Sequence, residues 1–220
     1  MANQVLIVEK LMNALPKTRI YRLTHYKNLP FIFKNGLHCA NSDVKHPDFV
    51  NIGFQSLISS RGITPVKAAP GGVLNDYIPF YFTTRSPMLF MIYKGKVEDY
   101  EGTQEELVYL VSNVEVIQEE NIPYVFTDRH AKLSYANHYN EYSKLEELDW
   151  DTISSDNWGQ QYGADKKEKK QAEFLVYQSL SLNLVQGIVC QNDQIYRLVE
   201  AAMKDAGVSL PIACRPNLYY

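Results

Sequence analysis

Gly71-Gly72-Val73-Leu74-Asn75-Asp76-Tyr77-Ile78-Pro79-Phe80-Tyr81-Phe82-Thr83 passes from two glycines into a run of Tyr, Ile and Phe. β-Branched and aromatic side chains fit a pleated surface, so residues 77–83 are predicted to form a buried strand. Pro79 has no N–H for the ladder and pushes that strand towards an edge or a bulge. Ser86 and Pro87 suit the N-cap and first turn of a helix running to Tyr93. Before the glycines, residues 41–70 are rich in Asn, Ser, Pro and Gly. A connection of that length in a compact domain is usually functional or mobile.

Towards the N-terminus, Val5, Leu6, Val8, Leu11, Met12 and Leu15 recur at helical spacing until Pro16, which predicts an opening amphipathic helix. Residues 19–25 read as a strand. Asn28 offers an N-cap, Pro30 a first-turn proline, Ile32 and Phe33 an inward face and Gly36 a stop, giving a short helix before a returning strand at 37–39. Downstream, residues 106–112 and 122–127 are strand candidates, joined through Glu119, Glu120 and Asn121 as a hairpin-like or sheet-crossing pair. Residues 130–144 have helical content, and 146–163 form a second long polar excursion carrying Trp150 and Trp158. Residues 174–177 and 184–190 read as strands, Asp193 as the cap of a helix ending at Gly207, and 211–215 as the segment closing the sheet. The alternation lacks the steady rhythm of a doubly wound sheet, so the fold class expected is α+β, with a mostly antiparallel or split sheet. No internal repeat or linker stands out, and residues 1–220 are read as one domain.

Composition narrows the function classes. Hydrophobic residues make up 45% and charged residues 21% of the 220, a globular balance that excludes a disordered tail. The net charge of -3 argues against a protein that holds duplex DNA mainly by neutralising phosphates, so any nucleic-acid contact must be local. Cys39, Cys190 and Cys214 are odd in number and widely spaced, encoding neither a disulfide framework nor a zinc site. No apolar run approaches the length of a membrane span, and Val5 to Val8 is too short for a secretory signal, so the expected location is cytoplasmic. Sixteen tyrosines are compatible with core filling, wall hydrogen bonds or base stacking.

No Walker loop, G-x-G-x-x-G, H-E-x-x-H or G-x-S-x-G occurs, so weaker constellations carry the chemistry. Thr24, His25 and Asn28 end an apolar strand, where sites collect, but would equally cap the next helix. Arg61 in the long loop suits an anion if one is near, and otherwise reads as a solvated surface residue. Glu173 stands where the lysine-rich run 166–170 turns apolar at Phe174-Leu175-Val176. A carboxylate there is either desolvated and aimed or an edge charge that blunts pairing. Thr127-Asp128-Arg129-His130 gathers hydrogen-bonding types at a strand end. A Mg²⁺-dependent nuclease would need acids such as Asp76, Asp128 and Glu173 to converge, and a non-catalytic single-strand-binding module is a further alternative.

Taken in order, Ile20-Tyr21-Arg22-Leu23-Thr24-His25 with Asn28, Gly36-Leu37-His38-Cys39 with Asn41-Ser42, the block from Gly71 to Leu89, Phe126-Thr127-Asp128-Arg129-His130, Gln171-Ala172-Glu173 and Tyr219-Tyr220 resemble the DarT DNA ADP-ribosyltransferase toxins over nearly the whole chain. The resemblance implies an ADP-ribosyltransferase-like split mixed sheet flanked by helices. It also implies transfer of ADP-ribose from NAD⁺, consumed as co-substrate without a metal, to a base in single-stranded DNA, thymidine first and guanosine second. By position it places the catalytic residues at Glu173 and Arg61, and NAD contacts at Arg22, Thr24, Asn28, Arg61, Tyr77 and Met88. Some relatives carry a histidine where Arg22 stands. The segment between His130 and Glu173 would read the DNA, with His130, Tyr139, Trp150 and Trp158 as contacts. The partners implied are single-stranded DNA and a macrodomain antitoxin, with no membrane and a monomeric toxin.

Overall fold

The computed structural model describes residues 18–220, so the helix expected between Val5 and Leu15 lies outside the described residues. Among the described residues ten strands form: β1 (Arg19–His25), β2 (Leu37–His38), β3 (Tyr77–Tyr81), β4 (Leu107–Asn113), β5 (Tyr124–Thr127), β6 (His138–Tyr139), β7 (Glu173–Tyr177), β8 (Ser179–Leu180), β9 (Gly187–Cys190) and β10 (Ile212–Cys214). Eight make one sheet in the order β10-β9-β4-β1-β3-β7-β5-β6, while β2 and β8 pair separately. The β9–β10 pair is parallel and the other neighbours are antiparallel, so the sheet is mixed.

Its two halves join loosely. β1 pairs with β4 along its whole length, from Arg19 opposite Asn113 to His25 opposite Leu107. Against β3 it meets register only at Tyr21 and Tyr81, among the described residues. The sheet therefore splits between β1 and β3, in agreement with the α+β split-sheet expectation. The alternation of side chains distributes the core around that split. On one face Ile20, Ile78, Phe80, Leu110, Phe126 and Phe174 form a continuous core. The helices Leu29–Asn35 and Asp193–Asp205 cover it with Leu29, Ile32, Phe33, Ile195, Val199 and Met203. The other face carries two separate clusters, Leu23, Leu89, Ile92, Tyr109 and Tyr219 on one half and Leu74, Tyr77, Val125 and Leu175 on the other. The apolar cover on this face is therefore interrupted between the two clusters.

Local signals placed several elements. Ser86 Oγ accepts the Leu89 N–H at 3.2 Å and Pro87 opens the helix Pro87–Tyr93. Gly71 and Gly72 both have positive φ, and a Cβ on Gly72 would collide with the Asp76 carboxylate, so glycine is required there. Three expectations are corrected. Residues 41–70 contain a helix, Gln55–Arg61, whose N-terminal Gln55 N–H is accepted at 2.8 Å by Asp99, 44 residues away, so no local cap announced it. Residues 130–144 hold no α-helix, and the helical content expected there is limited to the start of a 3-10 helix at Tyr142–Glu147. The Asp128 carboxylate takes the Asn137 N–H at 3.0 Å and the Asn137 amide at 3.0 Å, folding the chain into a loop that returns as β6. The last long helix is capped by Asn192, which accepts from Ile195 N–H at 2.9 Å, with Asp193 as its first residue.

Phe174 lies in the middle of the continuous core, stacked on Tyr124 at 4.9 Å and edge-on to Phe82 at 6.0 Å. Phe174→Ala should lower the unfolding free energy by about 3–5 kcal/mol, read from urea denaturation.

Candidate active site

Residues opposite one another in neighbouring strands point to the same face, and this register builds the site. Tyr21 faces Tyr81, and Tyr81 faces Glu173, so the three stand in a row across β1, β3 and β7, on the face where the core is interrupted. Glu173, the first residue of β7, is 1% exposed. Its N–H donates to Thr127 Oγ1 at 3.2 Å, and the Thr127 hydroxyl donates to the Arg129 carbonyl at 2.6 Å. That turn brings the Ala131 N–H to Glu173 Oε1 at 3.1 Å and His130 Nδ1 to the same oxygen at 3.4 Å.

The other carboxylate oxygen belongs to Arg61. The helix Gln55–Arg61 ends on this residue and delivers its Nη1 to Glu173 Oε2 at 2.9 Å. Across the split, Arg22 Nη1 donates to the Pro79 carbonyl at 3.0 Å. Among the described residues both arginines keep a buried N–H group without a hydrogen-bond partner, Nη2 on Arg61 and Nε on Arg22. Burial acts to raise the Glu173 pKa, but the Arg61 guanidinium, His130 and the Ala131 amide outweigh it and hold the carboxyl at about 2. Burial and neighbouring Arg61 lower Arg22 to about 10, and burial, reinforced by Glu173, pushes the Tyr81 hydroxyl well up. At neutral pH these groups therefore comprise one carboxylate, two guanidiniums and a neutral phenol.

The remaining expected site residues fall in different places. Thr24 and Asn28 are buried behind the split, where the Asn28 amide donates to Thr24 Oγ1 at 3.1 Å and to the Val50 carbonyl at 3.0 Å, and its carbonyl accepts the Val50 N–H at 2.9 Å. They fasten the loop before the Arg61 helix. Met88, like Tyr21, packs on the cluster of Leu23 and Leu89. Tyr77 lies at the far end of β3, its hydroxyl donating to the Gly71 carbonyl at 2.6 Å and its ring against Tyr177. The tyrosine beside Glu173 is Tyr81, which sequence reasoning missed together with Tyr21. Alternation along 77–81 put both tyrosines on one face, and cross-strand register chose between them.

The aromatic residues assigned to DNA each make contacts within the fold. Trp150 donates its indole N–H to the Leu145 carbonyl at 2.8 Å and sets its edge on Phe82. Trp158 donates to Tyr220 Oη at 3.1 Å and packs on Phe90, and Tyr139 packs on Phe126. Among these residues only His130 touches the Glu173 carboxylate. Tyr135, in the same turn, is more than half exposed, with Arg129 over its ring at 5.4 Å. Asp76 is tied to Val73 N–H and Asn41, and Asp128 to Asn137, so the acids weighed for Mg²⁺ are engaged separately. No three His, Cys, Asp or Glu side chains gather as a metal site among the described residues.

A carboxylate kept ionised out of water can stabilise a neighbouring cation or take a proton, and two orphaned guanidinium N–H groups suit an anion. The folded Glu173 carboxyl lies below its ordinary value of 4.5, so its contribution to stability is complete above that value and is lost as pH falls through about 2. Urea denaturation at a series of acidic pH values should show this decline in the native protein and a shallower one in Glu173→Gln.

A family model described as "ssDNA thymidine ADP-ribosyltransferase, DarT" matches residues 21–220. A DNA ADP-ribosyl transferase of Escherichia coli O127:H6 is 35% identical over 205 residues, spanning 93% of this chain and 94% of the relative. The solved structure of Thermus sp. 2.9 DarT in complex with ADP-ribosylated ssDNA aligns with a TM-score of 0.87 at 37% identity, covering 92% of this chain and 96% of that one. The same Thermus protein in complex with NAD⁺ aligns with a TM-score of 0.85 at 36% identity, covering 94% and 100%. A split mixed sheet, a buried Glu–Arg pair at its opening and a family match across both halves lead to one conclusion: the chain belongs to the DarT family of single-stranded-DNA thymidine ADP-ribosyltransferases.

Proposed function

We propose that this chain transfers ADP-ribose from NAD⁺ to thymidine in single-stranded DNA, with Glu173 and Arg61 as its catalytic residues. The observation that carries the reading is the buried Arg61–Glu173 contact at 2.9 Å, flanked by unpartnered N–H groups on Arg61 and Arg22. Those N–H groups fit the pyrophosphate of NAD⁺, whose contribution is a sugar carbon that becomes electrophilic as its bond to nicotinamide lengthens. The two arginines hold the phosphates by charge-assisted hydrogen bonds, and Tyr21, Tyr81 and Met88 wall the site. Glu173 faces the sugar and stabilises the positive charge that develops there.

The ring nitrogen of thymine carries a proton at neutral pH and becomes nucleophilic as that proton leaves. Glu173 receives the proton. Its resting basicity is suppressed by Arg61, and it recovers as the guanidinium turns towards the negative charge developing on the base. His130, touching the carboxylate oxygen that Arg61 does not hold, orients it. A base inside a duplex hides this ring nitrogen in its pairing edge, which accounts for a single-stranded substrate. The reading extends to a toxin folded as one domain over 1–220, acting as a cytoplasmic monomer and countered by a macrodomain antitoxin. No helix among the described residues is long and apolar enough to cross a membrane.

Incubation with labelled NAD⁺ and oligonucleotides of varied base content should label only strands containing thymine. Labelling of thymine-free strands, or of none, would overturn the reading. Glu173→Gln should abolish transfer with the fold intact by circular dichroism. Arg61→Ala should reduce kcat by about 10²–10³, the scale of losing one electrostatic stabiliser.

A further inference from the structure

The lysine run that begins at Lys166 ends in a residue unlike a surface lysine. Lys170 is 1% exposed and, among the described residues, has no carboxylate within hydrogen-bonding reach. Its ammonium donates to the carbonyls of Ile153 and Ser155, each at 2.8 Å, with Thr83 Oγ1 at 3.4 Å. Those carbonyls close the helix Trp150–Ser154, whose final turn has no intrahelical donors for them. One residue further on, Asp156 accepts from Arg85 Nη1 at 2.9 Å, and Arg85 Nε donates to the Tyr219 carbonyl at 2.8 Å. Arg85 has a φ of 48°, a left-handed conformation that a non-glycine residue holds only when its surroundings impose it. Trp158 is fixed through Tyr220, whose hydroxyl donates to the Arg85 carbonyl.

Residues 153–158 are thus gripped by two cations, one three positions before Glu173 and one just beyond the end of β3. Burial lowers the Lys170 pKa to about 8, against the pull of Asp156 and with the push of Arg85. An ammonium buried without a counter-ion is costly, and here the offset comes from the segment it holds. We propose that Lys170 is a positioning residue which, with Arg85, fixes residues 153–158 against the strand that carries Glu173 and so sets the surface that receives single-stranded DNA. Its bonds end on backbone carbonyls of that segment and it does not touch the Arg61–Glu173 pair. The proposal therefore expects NAD⁺ binding to be little changed by substitution at Lys170.

This inference rests on the DNA ADP-ribosyltransferase reading, and one set of measurements separates the two. Full-length native protein, Lys170→Met, Lys170→Arg and Asp156→Asn are compared by initial rates against oligonucleotide and against NAD⁺, and by backbone hydrogen exchange over residues 153–158. Lys170→Met should raise KM for the oligonucleotide about tenfold or more and leave KM for NAD⁺ within about twofold, with exchange in the segment accelerated. Lys170→Arg should recover part of the loss, because it keeps a donor. Asp156→Asn, altering an exposed side chain, should show the same pattern more weakly, and it carries the test alone if Lys170→Met does not fold. An unchanged oligonucleotide KM in the folded variants, or equal rises in both KM values, would overturn the proposal. Failure of the native protein to label any oligonucleotide would overturn the underlying reading instead, while accelerated exchange would still report the Lys170 grip.

Discussion

The Arg61–Glu173 ion pair joins residues 112 positions apart and sits almost out of water. Removing two charges from solvent is unfavourable, and the mutual attraction recovers that cost only when the remaining polar atoms are satisfied. Glu173 meets the condition, since its second oxygen takes the Ala131 N–H and His130. Arg61 does not, because Nη2 has no partner among the described residues. The pair is thus an incompletely satisfied arrangement whose deficit lies on the cationic side. In the proposed function an anionic ligand relieves that deficit, which would give the site affinity before any chemistry begins.

The split sheet makes such a pair possible. Had β1 and β3 paired along their length, the row Tyr21–Tyr81–Glu173 would lie under a continuous core like that of the opposite face. Instead the ladder between the halves is reduced to one register point, and the cover divides into two clusters. The continuous core on the far face supplies the stability that the near face gives up. Rigid strands then hold the carboxylate and phenol, while Arg61, His130 and the Lys170-held segment come from connections, the usual division between scaffold and function.

Much of this was legible in the sequence where signals are local. β1, the helix opened by Ser86 and Pro87, the stop at Gly36 and the strand beginning at Glu173 each had a pattern within a few residues. The failures share a cause. The helix carrying Arg61 is capped by Asp99, and the Asp128–Asn137 bonds unmake an expected helix. Residue type alone could not tell that the indole N–H groups of Trp150 and Trp158 go to the Leu145 carbonyl and the Tyr220 hydroxyl. Lys170 was read with its lysine neighbours, yet the chain turns inward there and buries it.

By itself the sequence determined the α+β class, the order of motifs and the identity of Glu173 and Arg61 as candidates, because strand alternation, capping chemistry and motif order are carried by residues close together in the chain. Only the tertiary structure decided that Tyr81 rather than Tyr77 stands at the carboxylate, that Asn28 fastens a loop, and that a lysine in a charged run is an interior pin. Those outcomes depend on strand register and on burial. Each arises where distant segments meet, and there the loss of water turns weak surface charges into interactions strong enough to set geometry.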